Sequence, residues 1–334
     1  MGKGFRHLAA VLAAAGCALL GAGGAADRLC QPPPEGRMRN VVVLSAPATE
    51  APLHAALRAL SVPPLREPGT PPPTAQPGAD TVLETTIEGG LRVKNETNYW
   101  VDAASLLAEG PGLTLPAGEP QILIIHTHAS EAYTQAGLDR YDASDSSRTE
   151  DTQFNIVRIG DELTEILTDA GLNVIHDRGI YDFPSYTGSY TRSGAAIEQY
   201  LESCPGIRVV LDIHRDALGA NGVVYKTMAE EEGTVASQIM LLVGTDESGL
   251  EHPRWRGNLA FALYLQNAVN TAFPTLMRPV ALVPQRYNQQ LTPGSLILEV
   301  GSSGNTLREA LAAIRLFGRA AAPALADLVE EEPG

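Results

Sequence analysis

Residues 207–217 read IRVVLDIHRDA, an apolar run that ends in His214, Arg215 and Asp216. A run this rich in aliphatic residues, interrupted by Arg208 and Asp212, describes a strand buried on both faces, not one that turns a face to water. Residues 194–204 before it carry a helical spacing, and the same alternation recurs on both sides. Upstream, residues 121–126 (QILIIH) form a second apolar run. Residues 155–170 then place Ile156, Ile159, Leu163, Ile166 and Leu167 on one helical stripe, with Gly171 as a stop. Residues 172–176 make a short strand. Downstream come a strand at 238–243 (QIMLLV), a helix at 258–273, a strand at 295–300 (SLILEV) and a helix at 306–328. Strands separated by helices predict an α/β fold: one three-layer domain over residues 119–332, with a central, mainly parallel sheet and helices on both faces. Ligands in such sheets gather at the carboxyl ends of the strands.

The composition of the 334 residues narrows the function classes. A net charge of −15 excludes a general nucleic-acid binder, which needs a basic face for phosphates. It also excludes simple electrostatic docking on anionic lipid or polymer, so any anionic partner must be held in a specific groove. Aromatics are only 5%, whereas 32 Gly and 24 Pro point to linker sequence. Cys17, Cys30 and Cys204 are too few for a disulfide framework, and no CxxC is present.

Before the domain, three segments differ in character. Lys3, Arg6 and His7 precede an uncharged stretch at residues 8–26, LAAVLAAAGCALLGAGGAA. A basic start, an apolar run and small residues at its end predict a signal peptide or membrane anchor over residues 1–26. Residues 27–80 are a Pro/Ala/Gly-rich linker whose closely spaced prolines cannot sit in a helix or a central strand. Residues 81–118 predict a small strand extension, read as a hairpin around Gly89 and Gly90.

Two strands end in histidine. The first runs out as HTHASEAY, with His126, His128 and Glu131; the second supplies Asp212, His214 and Asp216. The strand LILEVGSSGN carries Glu299 near its end, a costly position for a carboxylate unless it is paired, protonated or near a metal. A catalytic zinc takes three ligands from His and Asp/Glu and leaves a fourth position for water. His128, Glu131 and His214 suit that set, and Glu299 suits the separate carboxylate that moves the proton. Asp212 is expected to orient His214, with Asp216 as a competitor. Strand alternation would put His126 on the same side as His128, where it faces the core or supports a ligand. Glu150 and Asp151, in the polar run 140–151, remain rivals to Glu131 as third ligand. Ser130, Ser193 and Ser302 lie in no GxSxG elbow, no glycine-rich phosphate loop opens a helix, and Cys204 has no evident base nearby.

The segments ILIIHTHASEAYT, FNIVRIGDELTEIL, GSYTRSGAAIEQYL, VVLDIHRDA and RYNQQLTPGSLILEVGSSGNT together resemble the stage II sporulation protein P family, from about Glu119 onward. The resemblance implies a zinc-dependent N-acetylmuramoyl-L-alanine amidase that cuts peptidoglycan during engulfment in spore formers, with endopeptidase activity in some members. It carries over to His128 and His214 as metal ligands and to Glu299 as the catalytic carboxylate. Glu131 follows less directly, and the family pattern does not require His126. Arg286, Tyr287 and Asn288 match a segment that would meet substrate. The resemblance also implies a membrane-tethered enzyme facing outside the cytoplasm, or a secreted one if the signal is cleaved. Its implied partners are a lytic transglycosylase, stage II sporulation protein D, and a membrane recruiter, protein M. A stem-peptide endopeptidase or carboxypeptidase and a non-catalytic wall-binding module are the alternatives.

Overall fold

The computed structural model describes residues 41–44, 81–83, 91–141, 147–220 and 223–330. The expected signal or anchor at 1–26 and nearly all of the linker at 27–80 lie outside the described residues. No helix among the described residues is long and apolar enough to cross a membrane.

The fold is α/β, built on an eight-stranded mixed sheet. Its strands are β1 (Val41–Leu44), β3 (Val93–Asn95), β4 (Ile122–Ile125), β5 (Val174–Asp177), β6 (Val209–Asp216), β11 (Ile239–Gly244), β12 (Val280–Val283) and β13 (Gly294–Ser302). They lie in the order β1-β5-β4-β6-β13-β11-β12-β3. Five neighbouring pairs are parallel and two, β1/β5 and β11/β13, are antiparallel. The remaining strands form two small sheets. β2 (Thr81–Leu83) pairs with β8 (Val223–Thr227), which pairs in turn with β7 (Gly219–Ala220), and β9 (Ala229–Glu231) pairs with β10 (Thr234–Ala236).

Two expectations change. The segments read as a hairpin around Gly89 and Gly90 do not pair with each other, because β2 joins β8 while β3 joins β12. The stretch read wholly as a spacer also supplies β1, an edge strand beside β5. All three pairings are long-range, and local alternation says nothing about such partners.

Three main helices cover one face: α2 (Ile156–Asp169), α4 (Trp255–Ala272) and α5 (Leu307–Ala326). The short α1 (Ala103–Glu109) adds Leu106 to that core. Helix α2 starts where the Asn155 side chain accepts from Val157 N, and it buries the predicted stripe of Ile156, Ile159, Leu163 and Leu167. Helix α5 starts at a capping box, with Thr306 and Glu309 satisfying each other's backbone N–H groups. On the opposite face a single helix, α3 (Ser189–Ser203), packs Ala196, Ile197 and Tyr200 on Leu123, Ile125, Ile175 and Val210. That cluster stops at β6. Beyond it the same face carries Met240, Ala281 and Val283, packed against Leu242 and Tyr287 with no helix in the cluster. The edge of the helical cover therefore falls between β6 and β13.

One close contact fixes α2 against the sheet. A Cβ on Gly160 would lie 2.5 Å from His176 Nε2 and 2.6 Å from His126 Nε2, in a buried region with no slack. Gly160→Ala is expected to destabilise the fold by about 1–3 kcal/mol, the usual result of overpacking, despite alanine's better helix propensity. Denaturant unfolding of the variant checks this, and an unchanged midpoint would refute the tight fit.

Candidate active site

Strand β4 ends at Ile125, and the chain then turns across the end of β6. Thr127 fixes that turn: its N–H and Oγ1 donate to Asp212 Oδ1 and Oδ2 at 2.8 and 2.6 Å. Ser130 makes a second anchor, donating from Oγ to Asp182 Oδ2 at 2.5 Å. The turn thereby brings His128 and Glu131 beside His214. The two imidazoles stand perpendicular, with centroids 5.3 Å apart. His214 lies between two carboxylates, its Nδ1 3.5 Å from Glu131 Oε2 and its Nε2 2.9 Å from Asp212 Oδ1.

Glu131 is buried and held by arginines on both sides. The Arg215 backbone N–H donates to Oε2 at 3.2 Å, and Arg148 Nη2 donates to Oε1 at 3.2 Å. Burial alone would raise its pKa, but the His214 hydrogen bond and the charges of Arg215, His214 and His128 prevail and hold it at about 2. For His214, burial works downward, yet the Asp212 and Glu131 carboxylates win and hold it well above the ordinary imidazole range. His128 behaves oppositely, because burial and the neighbouring His214 charge bring it down to about 4. Its Nδ1 is buried without a hydrogen-bond partner.

Glu299 on β13 sits in register opposite His214 on β6. Its Oε2 is buried and unpartnered. Burial pushes its pKa up to about 8, with His214 pulling down and Glu131 and Asp216 adding to the rise. The site thus pairs a carboxylate that stays ionised with one that changes state near neutrality, a division of labour typical of acid–base sites.

Asp212 lies where the sequence predicts, against the His214 ring. Asp216 does not: Arg278 takes its carboxylate at 2.7 Å. Glu150 and Asp151 are exposed. His126 departs from its expected place because the strand alternation ends at Ile125. Its ring turns under α2, with Nδ1 3.2 Å from Ile213 O and Nε2 2.8 Å from His176 Nε2. Of residues 286–288, Tyr287 and Asn288 reach the site, whereas Arg286 donates to Glu251 O at 3.1 Å. Tyr287 and Asn288 have φ values of 53° and 61°, a left-handed backbone that is strained for non-glycine residues. Asn288 Nδ2 donates to Tyr190 O at 2.7 Å, locking this segment onto the first turn of α3.

Two aromatic residues escaped the sequence reading. Tyr186 stacks flat on His128 at 4.4 Å, with the Arg148 guanidinium 5.1 Å from the tyrosine ring centre. Tyr190 stands edge-to-face with His128 at 5.4 Å and parallel to His214 at 6.4 Å. Tyr287 packs against Tyr190 at 5.3 Å.

Among the described residues, no group of three or more His, Cys, Asp or Glu side chains is arranged so as to hold a metal ion. The donor chemistry nonetheless fits a zinc ion. His128 Nδ1 is an orphaned ring nitrogen, and Glu131 is fixed as a carboxylate. His214 Nδ1 faces Glu131 at a separation two ligands of one tetrahedral ion can span.

A sequence profile described as "Stage II sporulation protein P (SpoIIP)" matches residues 80–322. The chain belongs to the stage II sporulation protein P family. His128, Glu131, His214 and Glu299 all fall inside the match to this family. A curated stage II sporulation protein P from Bacillus subtilis (strain 168) is 23% identical over 252 residues, which cover 71% of this chain and 58% of the relative. The chain therefore spans little more than half the length of that relative. Among solved structures, the N-acetylmuramoyl-L-alanine amidase AmiC2 of Nostoc punctiforme is 13% identical at a TM-score of 0.35, covering 62% of this chain and 96% of its own. The amidase Ami1 of Mycobacterium smegmatis is 13% identical at a TM-score of 0.36, covering 63% and 98%. Scores this low carry no weight for the reaction.

Proposed function

We propose that this chain is a peptidoglycan hydrolase of the zinc-dependent N-acetylmuramoyl-L-alanine amidase type, acting on the wall during engulfment. The carrying observation is Glu299: its Oε2 is buried and unpartnered, its carboxyl is poised near neutrality, and it lies directly across from His214. His128, Glu131 and His214 would hold the zinc. The ion, when bound, polarises the scissile carbonyl and acidifies the attacking water. Asp212, with Oδ1 2.9 Å from Nε2, would steady the His214 ring with Nδ1 toward Glu131. Glu299 takes the proton from the water and returns it to the departing alanine nitrogen, which a carboxyl with a pKa near the working pH does well. The His214 hydrogen bond and the Arg215 charge keep Glu131 ionised, so that it stays a ligand and does not compete for that proton. Export and tethering through residues 1–26, and cooperation with a lytic transglycosylase and a membrane recruiter, belong to the same reading.

Mass spectrometry of digested wall tests it. An amidase frees intact stem peptides from muramic acid, whereas an endopeptidase or carboxypeptidase leaves stubs attached. Absence of bound zinc, with no release after zinc is restored, would leave only a wall-binding module. Asp212→Asn is expected to weaken zinc binding by about 10–100-fold, because the neutral amide holds the imidazole less firmly. Competition with a chelator measures this, and unchanged affinity would remove Asp212 from the role.

A further inference from the structure

Water attack on an amide places negative charge on the carbonyl oxygen, and a donor preset at that point lowers the barrier. The charged donors around this site are already engaged. Arg148 donates to Ser130, Asp182 and Glu131, while the Arg215 guanidinium donates to Ala132 O and Ser147 O. Arg286 is turned to Glu251, and Asn288 Nδ2 is given to Tyr190 O. Three phenol hydroxyls at the site, those of Tyr186, Tyr190 and Tyr287, make no hydrogen bond among the described residues.

The geometry separates the three: Tyr186 is 58% exposed, and of the two histidine rings it packs on His128 alone. The Tyr190 ring packs against both histidine rings, at 5.4 and 6.4 Å, while Tyr287 packs on Tyr190 and stands one ring further out. The place of Tyr190 is also the better fixed. It lies in the first turn of α3, its carbonyl is held by Asn288, and a Cβ at Gly194 would come within 3.0 Å of the Asn288 amide. We infer that the Tyr190 hydroxyl is the donor to the charged carbonyl oxygen of the substrate, an inference that rests on the amide-hydrolase reading of the site. The phenol lends a hydrogen bond and keeps its proton, while water attacks the carbonyl carbon and the proton relayed by Glu299 leaves with the amine.

Tyr190→Phe removes that hydroxyl and keeps the ring. On zinc-loaded protein, the variant is expected to lose about 10²–10³-fold in kcat with KM nearly unchanged. Its affinity for a phosphinate analogue, whose anionic tetrahedral phosphorus replaces the scissile carbonyl, is expected to fall by a similar factor. Zinc content should remain at the wild-type value, and Tyr287→Phe should lose less phosphinate affinity. Wild-type turnover and phosphinate binding in Tyr190→Phe would overturn the assignment. So would loss of zinc, which would make Tyr190 a packing residue, or a larger loss in Tyr287→Phe. A wild type that binds the phosphinate but frees no stem peptide would sink the amidase reading alone, and the phosphinate affinities of the two variants would still decide Tyr190. A wild type that does neither overturns both.

Discussion

Glutamine in place of Glu299 is expected to lower wall cleavage by about 10²–10⁴-fold while zinc content stays at the wild-type level. The side chain keeps its shape and its neutral hydrogen-bonding capacity, so the fold and the His128, Glu131 and His214 constellation survive. What is lost is a proton acceptor. A second readout follows from burial. In the metal-free protein the Glu299 carboxyl titrates at about 8, raised from 4.5. Between those values the folded state holds the proton that the unfolded chain has released, so stability falls as pH rises through this window. A rise of that size corresponds to a loss of at most about 5 kcal/mol. Glutamine carries no such proton. Metal-free Glu299→Gln should therefore match the wild type near pH 4.5 and exceed it above pH 8 in denaturant unfolding. An active Glu299→Gln enzyme would sink the role; a parallel pH profile would sink the account of its burial.

Much of this site can be read from the chain because strand ends are local signals. The runs ending in His214 and near Glu299 fix both residues on parallel neighbours, and the register places them opposite each other. The direction of β11 could not be read, since an apolar run looks the same in either orientation. The sequence left His126 between the core and a supporting place for a related reason: alternation extends only as far as the strand, which ends at Ile125. The choice among Glu131, Glu150 and Asp151 depends on arginines 17 and 84 residues away along the chain, which no spacing reveals. Tyr186 and Tyr190 were missed although a signal existed. Aromatics make up 5% of the chain, yet Tyr181, Phe183, Tyr186 and Tyr190 fall within residues 181–190. Such crowding ahead of a helix, in an aromatic-poor chain, marks a segment that lines something.

Replacing His214 by alanine should remove zinc, reduce cleavage to background and cost stability as well. The imidazole is 4% exposed and stands between the Asp212 and Glu131 carboxylates. Asp212 would keep Thr127 and Glu131 would keep its arginines, but the positive charge shared between them would be gone. Breaking one member out of a buried charged set costs about 3–5 kcal/mol. Its pH dependence runs in a defined direction. His214 is held well above 6.5 in the folded metal-free protein, so its contribution is complete below the unfolded value and fades as pH climbs through the folded one. The deficit of metal-free His214→Ala relative to wild type is therefore largest in mild acid and shrinks toward alkaline pH. This is distinct from the Glu299 variant, whose advantage emerges only as pH rises. Paired denaturant melts of the metal-free proteins at pH 5.5 and 9, with metal analysis of the loaded ones, measure both effects. A His214→Ala protein that retains one zinc and cleaves wall would remove His214 from the ligand set, and with it the reason for two carboxylates to converge on this ring.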